Sequence, residues 1–200
     1  MTLRDDNTIR FGSATVSGAF DVTAASIDLT NTVTADSVGF RCVFGDGRYH
    51  ETPAEILTVA GATLLTGAAG DSILLDAATN DFDSDNSGDA VTANGALVAL
   101  TLRDEDNIAL GGANVTGTMT ITAAGTITQT GVLTGGATTT LDAGGTATGT
   151  DDITLTDATN DFGSVMIANG GNVALVDANA VLWARQPLAV SMTSRRRASV

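Results

Sequence analysis

The stretch RCVFGDGRYH, residues 41–50, gathers the one cysteine, the one tyrosine and the one histidine of a 200-residue chain. A thiol and an imidazole are the parts of an activated nucleophile, with Cys42 to attack, His50 to take the proton and Tyr49 beside it. Such a pair needs a third group that orients the base, and the sequence identifies none. A second set of reactive residues stands in NDFDSDNSGDA, residues 80–90. Asp81, Asp83 and Asp85 alternate there and Asp89 lies beyond, which in an irregular loop lets carboxylates converge on a hard cation such as Ca²⁺. Asn86 occupies the place of the glycine in a helix-loop-helix calcium loop, Gly88 comes two residues late, and Thr92 replaces the bidentate glutamate. The expectation is a weak calcium site at Asp81, Asp83, Asp85 and Asp89, with a solvated acidic loop as the alternative. No other cofactor is expected.

The elements that must position these residues are written in repeats. Residues 2–25 align without a gap to residues 101–124, with 12 of 24 positions identical. DSILLDAATNDF at 71–82 matches DDITLTDATNDF at 151–162, and residues 93–110 match 168–182 with a three-residue difference in length. Within each block apolar residues alternate: Val16, Phe20, Val22; Val115, Met119, Ile121; Ile73, Leu75; Ile153, Leu155; Val165, Ile167; Val173, Leu175. A period of two means strands buried on one face, and Thr, Asn, Asp and Gly between them supply turns. No window carries sustained helical spacing, so the fold class is all-β. Units of roughly 19 to 25 residues suit a β-solenoid of about ten stacked coils, whereas a β-sandwich is the competing architecture.

The units DITLTDATNDFGSVMIANGGNVALVDANAVL and TMTITAAGTITQTGVLTGGATTTLDAGG resemble the β-helical repeats of filamentous-haemagglutinin-like and autotransporter adhesins of bacteria. The resemblance covers most of the chain except residues 41–50 and the end from Trp183. It implies a right-handed parallel β-helix in a secreted or outer-surface exoprotein. It further implies a stalk or interaction surface, flanked by other repeats of a longer chain. Partners would be molecules or polysaccharides of a host or neighbouring cell.

The domain expectation is therefore a repeat region over residues 1–182, interrupted at 41–50, and a non-native tail over 183–200. Both departures hold rare residue types, the tail carrying the one Trp and four of the nine Arg. A reading-frame slip explains both: one permitted codon string for 41–50, read one base on, gives Ala-Ala-Ser-Ser-Val-Thr-Gly-Ala-Ile-Thr, which imitates residues 11–23. On that reading Cys42, Tyr49, His50 and the Arg195 to Arg197 run have no chemical role.

Composition narrows the classes further. A formal charge of −14, with Arg as the sole basic side chain besides His50, disfavours nucleic acid and anionic membrane. No apolar run is long enough for a membrane-spanning helix, and residues 1–11 lack the apolar stretch of a signal peptide. Aromatics are 4% of the chain, so a core of small aliphatic residues is expected. A polysaccharide-processing enzyme on the same scaffold is the alternative function, and it would need paired carboxylates. Arg4–Asp5 and Arg103–Asp104 recur at equivalent places, which points to a structural ion pair instead. Asp5, Asp104 and His50 are accordingly expected to tolerate replacement. A flat threonine face for ice would need one regular threonine column, and the irregular unit lengths argue against it.

Overall fold

The computed structural model describes residues 1–42, 48–50, 55–144 and 151–184. Among these residues there is no helix; sixteen strands form one sheet, and all of their pairings are parallel. A β-sandwich is built from antiparallel pairs, so that competitor is set aside.

The pairings run in three ladders, because a strand meets the strand that follows it by one full circuit of the chain. The first ladder stacks Leu3, Val22, Phe40, Leu65, Ala93, Ala113 and Leu133. The second stacks Ile9, Ile27, Tyr49, Ile73, Leu100, Met119, Thr139, Val165 and Trp183. The third runs from residues 14–16 through 33–35 and 57–59 to Asp81, and again from 108–110 through 127–129 and 153–155 to 173–175. Among the described residues the second ladder has nine rungs, against the expected total of about ten coils. At about 4.8 Å per rung it spans roughly 40 Å.

Long strands serve two ladders by bending at a corner. Ala14–Ala24 breaks register between Val16 and Ala19, and Val91–Asp104 breaks it between Ala93 and Ala99. Glycines sit at both corners, Gly18 and Gly95, each at φ 110°. A Cβ on Gly95 would also run into the carbonyl of Gly67 one circuit below. Only glycine meets both demands.

The alternating residues named from the sequence line the interior. All are buried except Val16, which is half-buried against the core. The rings are few but central. Phe11, Phe20 and Phe40 pack edge to face, with centroids 5.1 and 5.9 Å apart, and Phe82 and Phe162 are buried as well. The expectation of a core of small residues therefore holds for most rungs and fails at these.

The duplicated segments do not lie above one another. Residues 2–4 stand in the first ladder, whereas the matching 101–103 stand in the second. Likewise 72–75 lie in the second and 153–155 in the third. The repeat specifies a strand and its corner, and the face on which it falls follows from the number of residues in the circuits between. For the same reason no long column of one residue type forms among the described residues: Thr101, Thr120 and Thr140 stack, but Leu74 and Met166 end the run.

Residues expected to interrupt the repeat take part in it. Cys42 is buried at the end of Val33–Cys42, and Arg48–His50 pairs on both sides in the second ladder. Residues 43–47 lie outside the described residues. Trp183 bridges to Val165 and the Ala184 N–H donates to the Val165 carbonyl at 2.9 Å, so pairing passes the expected boundary at 182. Residues 185–200, including Arg195 to Arg197, lie outside the described residues.

Candidate functional site

The strongest constellation of polar groups is built from the repeated Thr-Asn-Asp-Phe turn, residues 79–82 and 159–162. Asn80 and Asn160 are fully buried. The side-chain oxygen of Asn80 accepts the Leu57 N–H from the preceding circuit at 2.9 Å, and that of Asn160 accepts the Leu133 N–H at 2.9 Å. Their backbone carbonyls accept from the following circuit, from Glu105 N–H and Ala178 N–H, both at 2.7 Å. Each asparagine therefore ties three successive circuits together. Burial of these groups is tolerated because each finds a partner.

An aspartate of the following circuit completes this clasp. Asp104 Oδ2 accepts the Phe82 N–H at 3.2 Å and Asp177 Oδ2 accepts the Phe162 N–H at 2.7 Å. The other oxygen of each closes a local turn, Asp104 Oδ1 on Asp106 N–H at 3.0 Å and Asp177 Oδ1 on Asn179 N–H at 2.8 Å. These contacts explain why the Arg-Asp pairs recur. Neither Arg4 with Asp5 nor Arg103 with Asp104 makes an ion pair, although Arg10 makes one with Asp28 at 2.9 Å. The recurrence is structural, but it is the aspartate's grip on backbone N–H groups that repeats. Asp104 is 1% exposed, so the expectation that it tolerates replacement is corrected.

The two clasps differ in the residue two places after the gripping aspartate. In the second, the Asn179 side-chain amide donates to Asp161 Oδ1 at 3.2 Å. In the first, Asp106 stands in that place, and oxygens of Asp81, Asp104 and Asp106 lie within 4.8 Å of one another. Asp106 Oδ1 is buried with no hydrogen-bond partner. Desolvation, with the carboxylate of Asp106 adding to it, pushes Asp104 up to about 7, against the pull of the two backbone N–H groups it accepts. Asp81 is raised as well, by desolvation first and then by Asp106, Glu105 and Asp83.

The carboxylates expected to bind calcium divide between two places. Asp83, Asp85 and Asp89 converge, with oxygens within 4.8 Å of one another, in a corner loop that carries five more residues between Phe82 and Ala93 than lie between Phe162 and Ala168. Asp81 does not join them, because its backbone bridges to Thr58 next to Asn80 and its side chain belongs to the clasp. Asn86 takes φ 54°, so it supplies the left-handed turn for which the sequence seemed to lack its glycine. The loop's own donors occupy its carboxylates. Ser87 N–H reaches Asp83 and Asp85 at 3.1 and 3.0 Å, Ser87 Oγ reaches Asp89 at 2.6 Å, and Gly88 N–H reaches Asp83 at 2.8 Å. The Ser87 hydroxyl and N–H hold Asp85 below the usual carboxylate range.

The clasp escaped the sequence reading although its signal was present. Asp-x-Asn or Asp-x-Asp recurs at residues 5–7, 104–106 and 177–179, each after an apolar strand. A shallow groove of about 280 Å³ outside the first ladder is lined by Asp21, Thr23, Gly39, Arg41, Leu64 and Thr66. It offers one carboxylate and one guanidinium, and not the carboxylate pair that glycoside hydrolysis uses.

Neither the curated proteins nor the solved structures contain a match to this chain. Residues 53–89 and 95–169, more than half of the chain and including both Thr-Asn-Asp-Phe turns, match the family described as repeats of unknown function, DUF5649, and the chain belongs to that family.

Proposed function

We propose that the chain is a structural and adhesive repeat segment of a secreted or surface-exposed bacterial exoprotein, folded as a right-handed parallel β-helix. The observation that carries this reading is the nine-rung second ladder among the described residues, in which every rung between the first and the last is held by its neighbours above and below. Right-handedness follows from the near-universal hand of connections between parallel strands in one sheet. Such a column holds its outer faces rigid and adds length circuit by circuit, which serves a stalk or a multivalent contact surface for cell-surface molecules or polysaccharide. Its mechanism requires no metal, no nucleic acid and no membrane insertion.

The test is retention of beads coated with the chain on host cells, neighbouring bacteria and immobilised polysaccharide. Leu155→Asp buries an unpaired carboxylate in a fully buried position, costs several kcal/mol, and should abolish retention together with folding. Asp21→Ala and Arg41→Ala should leave folding intact and lower retention only in part. The alternative, a polysaccharide-processing enzyme, would have to work with the single carboxylate Asp21 and the guanidinium of Arg41 in the groove. It takes over if Asp21→Ala abolishes measured sugar cleavage at unchanged thermal stability.

A further inference from the structure

We propose that the edge formed by residues 2–11 is a docking face for one more coil of this repeat family, a coil that ends in Thr-Asn-Asp-Phe. Resting on the stacked-repeat reading above, the inference names the coil and the groups that receive it. Residues 2–11 match residues 101–110, and that interior copy shows what covers such an edge. Residues 72–75 pair with 99–102, the Phe82 N–H donates to Asp104, and the Asn80 carbonyl accepts from Glu105 N–H. The clasp at 159–162 repeats the arrangement with Asp177, Ala178 and Asn179.

All three receiving groups stand ready at the first circuit. Asp5 Oδ1 accepts the Asn7 N–H at 2.8 Å, the same local turn that Asp104 and Asp177 make. Its Oδ2, which corresponds to the atom that accepts the Phe82 and Phe162 N–H groups, has no partner among the described residues. Asp6 stands where Glu105 and Ala178 donate to the asparagine carbonyl. Asn7 stands where Asn179 reaches the aspartate of the turn. Residues 5–7 are exposed, and the half-buried Leu3 and Ile9 of this edge pack against the core. A second copy of this chain is not the occupant, because both of its Thr-Asn-Asp-Phe turns are already covered by their own following circuits.

The experiment joins a second copy of residues 55–100 directly ahead of Thr2. The added Phe then lies as far ahead of Asp5 as Phe82 lies ahead of Asp104, 22 residues in each case. Hydrogen exchange of residues 2–11 is followed by mass spectrometry. The fusion should slow it by about tenfold or more, and Asp5→Ala with Asn7→Ala should remove most of that slowing, while in the unfused chain the same pair should speed only the residue-7 amide that Asp5 holds. Equal slowing with and without those two residues, or no slowing in the fusion, overturns the proposal. A fusion whose added coil stays unfolded gives no slowing and counts against it. In the unfused chain, Asp104→Ala should speed exchange of the Phe82 amide; an unchanged rate there overturns it independently. Bead retention is a separate readout, so the docking face and the adhesive role fail separately.

Discussion

The two Thr-Asn-Asp-Phe clasps share a backbone and differ in charge. Around Asn160 the third position is Asn179, whose amide donates to Asp161; around Asn80 it is Asp106, and three carboxylates crowd together. An amide closes the cluster with its own protons. A carboxylate has no proton of its own to give, so Asp106 adds to the desolvation that already pushes Asp104 up to about 7. The comparison separates what the motif must have, an asparagine and an aspartate gripping backbone groups, from what it tolerates at a cost.

The largest effect is expected where the clasps are alike. Asn160→Ala strands the buried Leu133 N–H and removes the reciprocal amide pair with Gln129, Nε2 to Oδ1 at 3.0 Å and Nδ2 to Oε1 at 2.8 Å. It should cost about 2–4 kcal/mol, and Asn80→Ala about 2–3 kcal/mol, in thermal or denaturant unfolding. A cost below about 0.5 kcal/mol at either site would show that the following aspartate carries the clasp alone.

A smaller effect is expected where they differ. Asp104 binds its proton more tightly folded than unfolded, so the stability it contributes is full below about pH 4 and is lost as pH rises through about 7. The raised Asp81 and Asp142, the latter desolvated and partly offset by Arg103, act in the same direction. Unfolding free energy should therefore fall between pH 4 and pH 7.5 by on the order of a few kcal/mol at most. Asp106→Asn recreates the neutral clasp. It should shrink that slope and add about 1–2 kcal/mol at pH 7.5 with little change at pH 4, desolvation of Asp104 leaving a residual slope. Asn179→Asp should do the reverse at the second clasp. Equal slopes in wild type and Asp106→Asn would mean that the like charge contributes nothing.

Much of this was legible in the sequence, and the division is physical. Period-two alternation at Ile73, Ile153 and Val173 reports burial directly, so strands and core could be read from it. The repeats reported circuits, but not the faces on which they fall, because circuit length in loops such as 83–90 turns one copy against another. The acidic residues misled because alternation says which side chains are close along the chain and not which are already engaged. Asp81 follows Asn80, and Asn80 is fixed by Leu57 and Glu105 in other circuits. Asp104 looked like a surface residue for the same reason: its partner, the Phe82 N–H, lies 22 residues away.

The smallest effect concerns calcium, and it sharpens the contrast between the long corner loop and its short counterpart after Phe162. Asp83, Asp85 and Asp89 converge but already accept from Ser87 and Gly88, so a cation must displace or share those donors. Three carboxylates without Asp81 and without a bidentate glutamate fall short of the six to eight oxygens calcium prefers, and water must supply the rest. Calorimetric titration should accordingly find affinity no tighter than the weak extracellular range of about 10⁻⁴ M. Asp85→Asn, at an exposed position whose charge is stabilised by Ser87, should weaken even that binding while leaving the unfolding midpoint close to that of wild type. Asp106→Asn should leave calcium affinity unchanged, since Asp106 lies in the other cluster. If instead Asp106→Asn abolishes the binding, the cation sits in the crowded clasp, and the proton held by Asp104 is what it displaces.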